Sequence, residues 1–246
     1  MRKSMILAAV LTVMGAATAL AQGIVVNKTD GSKVYFKASE VVSVTTYGYG
    51  EDGPHAPAGA EAVDLGLPSG TKWANMNVGA EKPEDYGHYF AWGETKGYTS
   101  DTNDGRLFDW ETYQYGSSVD DVEDIGSDIA GTGYDAATAN WGTPWRMPSQ
   151  AQIKELFDNS SSEWTTLNGV DGRKITSNIN GNSIFLPAAG NRWNGELYLA
   201  GDWGDIWSST LYESGPNYAY GLGFDSGGVS WYYGSREYGQ SVRPVR

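Results

Sequence analysis

The sequence predicts an α+β domain made of many short strands, few helices and long loops, with a small β unit ahead of it. Three observations lead there. Short runs of alternating apolar residues recur between Gly-, Asn- and Asp-rich turns. One segment, Met147–Phe157, has helical periodicity. No repeat period is visible that would indicate a solenoid or propeller.

In chain order, residues 1–21 read as an export signal. Arg2 and Lys3 form a basic start, Met5–Met14 an apolar core, and Ala19-Leu20-Ala21 a small-residue cleavage site. That apolar core is short for a membrane span, and no transmembrane segment is expected elsewhere. No cysteine follows the cleavage site, so a lipid anchor on an N-terminal cysteine is not expected. With no cysteine at all in 246 residues, the exported fold depends on its core and not on disulfides. The expected location is the periplasm, the cell surface or the medium.

Residues 22–47 form the small β unit. Ile24-Val25-Val26 and Val34-Tyr35-Phe36 flank an Asp30-Gly31 turn, and Val41–Tyr47 supplies a third β-rich run. Residues 48–62, rich in Gly, Pro and Ala, read as a linker. The main domain is expected over 63–246.

The main domain opens with two short strands about Pro68-Ser69-Gly70, followed by an aromatic strand in Gly87–Trp92. Residues 97–140 are irregular, with room for a short helix, and hold the acidic cluster Asp120, Asp121, Glu123, Asp124 and Asp128. Acidic clusters can bind Ca²⁺, but the spacing of an EF-hand loop is absent, and a solvated loop is the default reading. Ser149, with Gln152 three residues on, forms a capping box; Ile153, Leu156 and Phe157 then share one apolar face. A hairpin is expected over Lys174–Leu186 about Asn180-Gly181, with a further turn at Asn194-Gly195.

Aromatics concentrate from Trp193 onward, and no lysine follows Lys174. Here Tyr218, Tyr220, Leu222 and Phe224 share one parity, and Val229, Trp231 and Tyr233 share another. Asp225-Ser226-Gly227-Gly228 between them makes a β-hairpin. Tyr mixed with Gly, Ser and Asn is the composition of binding surfaces, because rigid amphipathic rings give contact area at low entropy cost. The same composition also fills cores and corners of ordinary β domains. Trp193, Trp203, Trp207 and Trp231 can stack on sugar faces or pack inside; Trp207 and Trp231, in regular strand patterns, are expected in the core.

Charge and motifs narrow the function. The formal net charge is −13, and becomes −15 once Arg2 and Lys3 are removed, leaving 15 basic against 30 acidic residues. Such a chain repels nucleic acid and anionic membranes. His55 and His88 have no companions at ligand spacing, so no metal site and no cofactor are expected. There is no nucleophile elbow, phosphate loop or dinucleotide fingerprint, and the reading is non-enzymatic.

Several blocks, in order, carry a family resemblance. They are Val63–Ala74, Tyr89–Glu94, Trp145–Pro148, Ile184–Gly190, Trp207–Ser209 and Ser241–Arg246. Together they resemble the Fibrobacter succinogenes major paralogous domain family of exported Bacteroidetes-type proteins, and the 22–47 unit looks like the short leader module of such proteins. The family is similar to the C-type lectin fold. That implies a compact domain whose first and last strands lie together, with a ligand surface on the late hairpin and its loops. The lectin sugar–calcium motif is not matched: Gly215-Pro216-Asn217 has Gly where the acid is needed, and Trp193-Asn194-Gly195 lacks the second aspartate. The cysteines of formylglycine-generating relatives are also missing.

A narrower resemblance is to variable proteins of diversity-generating retroelements, whose final segment keeps a fixed apolar skeleton and closes with a stretch like Gly239–Arg246. Gly228, Gly234 and most of the residues named next belong to the set reachable from asparagine codons by adenine-directed change. The resemblance implies a receptor for a protein or glycan ligand. The contact residues expected are Tyr212, Tyr218, Tyr220, Gly221, Gly223, Asp225, Ser230, Tyr232, Tyr233, Ser235 and Tyr238, held by a skeleton of Leu222, Phe224, Val229 and Trp231. A constant structural or adhesive envelope protein is the alternative, and a glycan-acting enzyme a distant third.

Overall fold

The structure is a computed structural model. It describes residues 53–246 in full and, before them, the backbone of two strands, β1 (Gly23–Asn27) and β2 (Lys33–Lys37). These pair antiparallel, Gly23 opposite Lys37, as the Asp30-Gly31 turn predicts. The export signal and the Val41–Tyr47 run lie outside the described residues. The chain divides into two compact units, Met1–His55 and Ala56–Arg246. The division falls inside the expected linker, but the end of that linker belongs to the second unit. Ala56, Ala60 and Ala62 pack against its core.

The second unit is mostly β. In order it contains β3 (Ala62–Asp64), β4 (Lys72–Ala74), β5 (Tyr89–Phe90), β6 (Gly116–Ser118) and β7 (Asp121–Val122). Two short helices follow, α1 (Ala136–Trp141) and α2 (Gln150–Asp158), then β8 (Ser160–Leu167), β9 (Val170–Ser177) and β10 (Ser183–Pro187). The remaining strands are β11 (Asn191–Trp193), β12 (Glu196–Tyr198), β13 (Trp203–Leu211), β14 (Tyr218–Asp225), β15 (Val229–Ser235) and β16 (Gln240–Ser241). Two helices among several small sheets is an α+β arrangement. Among the described residues no helix is long and apolar enough to cross a membrane.

Helix α2 forms where capping and periodicity coincide. The Ser149 hydroxyl accepts the Gln152 amide, and the Gln152 side chain accepts the Ser149 amide, so two orphan donors are satisfied reciprocally. Ile153 and Leu156 are buried and Phe157 half-buried, in line with their spacing. Each fully buried aliphatic side chain contributes about 1.5–3 kcal/mol. Helix α1 depends on a different cap. The Asp135 carboxylate, fully buried, accepts the amides of Gly131, Ala137, Thr138 and Met147. Burial raises its pKa, an effect the donors at Gly131, Thr138 and Met147 oppose.

The central sheet has the order β15-β14-β13-β16-β5. One face packs on α2 through Ile206, Leu222 and Phe224, which meet Ile153 and Leu156. On the other face Trp207, fully buried as expected, joins Phe90, Trp92, Met147 and Val242. Its indole N–H donates to Phe90 O at 2.8 Å.

The end of the chain closes on the domain's first hairpin. Lys72 and Ala74 donate to Arg246 O and Pro244 O, and Val78 to Val242 O. Arg243 fixes this closure from within. It is fully buried and donates to Asn77 Oδ1, Ala74 O and Phe185 O at 2.8–3.0 Å. Among the described residues no carboxylate pairs with it, and burial lowers its pKa to about 9.

Candidate functional site

The β14–β15 hairpin forms as its turn residues dictate. Asp225 Oδ1 accepts the amides of Gly227 and Gly228, at 2.8 and 3.0 Å, and the Asp225 amide donates to Gly228 O. The two strands pair without a slip from Tyr218–Ser235 to Phe224–Val229. Directly opposed residues on antiparallel strands share a face. That register distributes the expected contact residues over both faces of one hairpin.

On the α2 face, Tyr218 and Tyr220 line up with Ser235 and Tyr233, beyond the point where Leu222 and Phe224 enter the core. Tyr212, just past β13, joins them. Its ring stacks on Tyr233 at 4.1 Å and 10° and meets Tyr220 edge-on at 5.3 Å; Tyr218 meets Tyr233 at 5.2 Å. The Tyr220 hydroxyl donates to Glu213 Oε2 at 2.7 Å. This bond lowers the Glu213 pKa and raises that of Tyr220, so the pair is a carboxylate and a neutral phenol at neutral pH. Tyr233 is 48% exposed. The result is a platform of four tyrosines, Tyr233 exposed and the other three half-buried, an arrangement suited to ring stacking and hydroxyl contacts.

Trp231 extends the platform, which corrects its expected place in the core. It lies on the α2 face opposite Leu222, but is 43% exposed and borders a recess of about 390 Å³ with Gln150, Ala151 and Lys154. Val229, opposite Phe224, is likewise 36% exposed. The physical reason is position in the sheet. β15 is the edge strand, so α2 covers β13 and β14 and leaves the strand beyond them open.

The other face is floored by glycine, and here the expected contacts are corrected most. Gly221 and Gly223 are buried. A Cβ on Gly223 would lie 2.5 Å from Trp203 Cζ2; one on Gly221 would lie 3.1 Å from the Tyr232 ring and from Ile206 O. The missing side chains let Trp203 and Asp205 of β13 approach Tyr232 of β15 across the intervening strand. Asp205, 3% exposed, accepts from the Trp203 indole at 2.7 Å and the Asn191 amide at 2.8 Å. Burial raises its pKa against the pull of these donors and of Tyr232.

Tyr232 turns its hydroxyl into this cluster, against Asp205 and Gln240, without a hydrogen bond of good geometry. Burial and the Asp205 charge raise its pKa far above the ordinary phenol value. Tyr232 is thus a packing residue and not an outward contact. Asp225 is committed to the turn. Ser230 is exposed on this face, and the Ser235 hydroxyl donates to Glu237. Tyr238 belongs to a separate group, 5.6 Å from Trp193, which in turn lies 6.0 Å from Tyr198.

Of the eleven expected residues, the structure therefore brings Tyr212, Tyr218, Tyr220 and Tyr233 together. Sequence reasoning did not find Glu213, Gln150, or the outward role of Trp231. It also missed Asp205, although the alternation Trp203-x-Asp205-x-Trp207 puts a carboxylate on an aromatic strand face, a visible anomaly.

Another recess, about 430 Å³, lies between Val122–Ser127 and Leu211, Pro216 and Arg236. Arg236 is buried there; its Nε donates to Tyr113 Oη and its Nη1 to Pro216 O and Glu123 O, while Nη2 has no partner among the described residues. In the neighbouring acidic cluster, Asp121, Asp124 and Asp128 hold local bonds to Ser117, Gly126 and Ala130. Among the described residues no three His, Asp or Glu side chains are grouped to hold a metal ion.

The family described as "Domain of unknown function (DUF8237)" matches residues 150–245. That span, less than half of the chain, runs from α2 to the closing segment and contains the whole platform. No curated protein and no solved structure matches the chain.

Proposed function

We propose that this chain is an exported, non-enzymatic ligand-binding protein with a C-type-lectin-like domain, and that the tyrosine platform is its receptor surface. One observation carries the reading: Tyr212, Tyr218, Tyr220 and Tyr233 form a single ring cluster, continued by a half-exposed Trp231. Large aromatics grouped in the open on a rigid sheet are costly unless something covers them. The pairing of residues 72–78 with residues 242–246 supports the lectin-like reading, since the resemblance implies first and last strands that lie together.

The ligand is a protein or a glycan. Retroelement diversification, as the narrower resemblance implies, is confined in this reading to the open positions. Gly221, Gly223 and Gly234 are constant scaffold, because a Cβ at each would meet ring or backbone atoms at 3.1 Å or less.

The test is a binding screen of the mature chain against glycan arrays and displayed proteins, followed by alanine at Tyr212 and Tyr233. On any ligand found, each substitution weakens binding at least about tenfold, the scale of an aromatic hot spot, and leaves the fold intact. Unchanged affinity in both variants would remove the platform as the binding surface.

A further inference from the structure

The outer edge of β15 lacks the usual defences of a sheet edge. Exposed edges are normally blunted by charge, proline, a bulge, shortness or a covering segment. The far edge of this sheet follows that rule: β5 is two residues long and Tyr98 bridges onto it. β15 is seven residues long, Val-Ser-Trp-Tyr-Tyr-Gly-Ser, with no charge, no proline and no break in register. Among the described residues, no backbone hydrogen bond outside the β14 ladder reaches residues 229–234. In a chain of net charge −13, the stretch from Ser226 to Ser235 carries none. Two acidic copies can approach there without repulsion at the contact.

We propose that β15 pairs antiparallel with β15 of a second copy, about a two-fold axis at Tyr232, joining two sheets into one. The strand is self-complementary in that register. Tyr232 faces its own copy, Ser230 lies opposite the partner's Gly234, and Val229 lies opposite the partner's Ser235. Trp231 lies opposite the partner's Tyr233, and the same pair recurs on the other side of the axis. The most exposed aromatics of the hairpin thus meet as two cross-strand ring pairs. The recess of about 390 Å³ beside Trp231 receives the edge of the partner's Tyr233 ring. A two-fold contact of this kind closes on itself, so it gives a dimer and not a fibre. It also sets two tyrosine platforms side by side, which presents a ligand with two sites. The pairing does not depend on the receptor reading.

The experiment is sedimentation velocity of the mature chain over a range of concentrations, with hydrogen exchange at the β15 amides. The expected result is a concentration-dependent dimer whose formation protects the amides of Trp231 and Tyr233, which the alternation of the β14 ladder leaves pointing to the open edge. Two double variants test the register. W231K/Y233E places Lys opposite Glu on both sides of the axis; W231K/Y233K places Lys opposite Lys. Both remove the same rings, and all four substitutions fall at half-exposed sites. The Lys–Glu variant dimerises at least about tenfold more tightly than the Lys–Lys variant, since like charges directly opposed repel. Equal association of the two would overturn the register. A monomer at every concentration overturns the pairing. So does a monomer whose Trp231 and Tyr233 amides are already protected, because the edge is then covered by another part of the same chain.

Discussion

The two faces of the β14–β15 hairpin share a backbone and a register, yet one is built to be open and the other to be closed. On the α2 face, Tyr218, Tyr220 and Tyr233 lean on one another and on Tyr212. On the opposite face, Gly221 and Gly223 remove side chains so that Trp203, Asp205 and Tyr232 can meet over the middle strand. Tyr and Ser occur on both, whereas the strand glycines Gly221, Gly223 and Gly234 all fall on the closed face. The difference is which rings have a neighbour across the sheet. Substitutions on the glycine face should therefore be read in stability, and those on the tyrosine face in binding.

The sharpest break in that contrast comes from adding one carbon. Gly223→Ala puts a Cβ against Trp203 Cζ2 at 2.5 Å and should cost about 1–3 kcal/mol, the usual range for overpacking. Gly228→Ala, with nothing within 4 Å, should stay within about 0.5 kcal/mol. Thermal unfolding of the pair checks this, at roughly 2–4 °C per kcal/mol for a domain of this size. Equal midpoints would mean that the glycine floor is not tightly packed.

Next in size is Asp205→Asn. It turns an acceptor between the Trp203 and Asn191 donors into a group that also donates, at a cost of about 1–2 kcal/mol. The same site has a pH dependence of defined sign. Burial holds the folded-state pKa of Asp205 above the ordinary value of 3.8, so the folded chain binds this proton more tightly than the unfolded one. The contribution is fully present below the ordinary value and is lost as pH rises through the raised one. Asp135, Glu94 and Glu237 are raised by burial as well and act in the same direction. Unfolding scans from the ordinary carboxylate value up to neutral pH should show the wild type losing more stability than the Asn variant; Asp104, held low by its bond to Arg192, acts in the opposite direction below that value.

The smallest effect is expected at Tyr232→Phe. The hydroxyl is buried without a well-formed bond, so its removal should change stability by less than about 0.5 kcal/mol. A loss of several times that would show that the Asp205–Tyr232 contact holds the edge strand.

Much of this fold was legible because its signals are local. The Ser149–Gln152 box, the Asp225–Gly228 turn and the Asn194-Gly195 turn each announce themselves within four residues, and each occurs in the structure. β8 gave no such sign: Ser160-Ser161-Ser162-Glu163 has little apolar content, and the strand exists because β9 pairs along its full length. Parity assigned Trp231 to the correct face but could not say that the sheet ends there. Tyr212 was legible as an aromatic near the hairpin, whereas its stacking on Tyr233 arises from the chain path between β13 and β14. Asp205 and Asn191 lie 14 residues apart, and only the packing of β11 beside β13 unites them.

The closure of residues 242–246 onto residues 72–78 has a consequence for when this domain can form. Arg243 and Val245 complete a core begun by Trp73 and Ala74, so the contacts that close the domain join positions nearly its whole length apart. Such long-range contacts slow folding, because loop-closure entropy is lost before they form. A chain still being synthesised, with residues 242–246 not yet available, holds its aromatic strands without the segment that locks them. Until residues 242–246 pair with residues 72–78 the core stays incomplete, and that pairing is the latch that completes it.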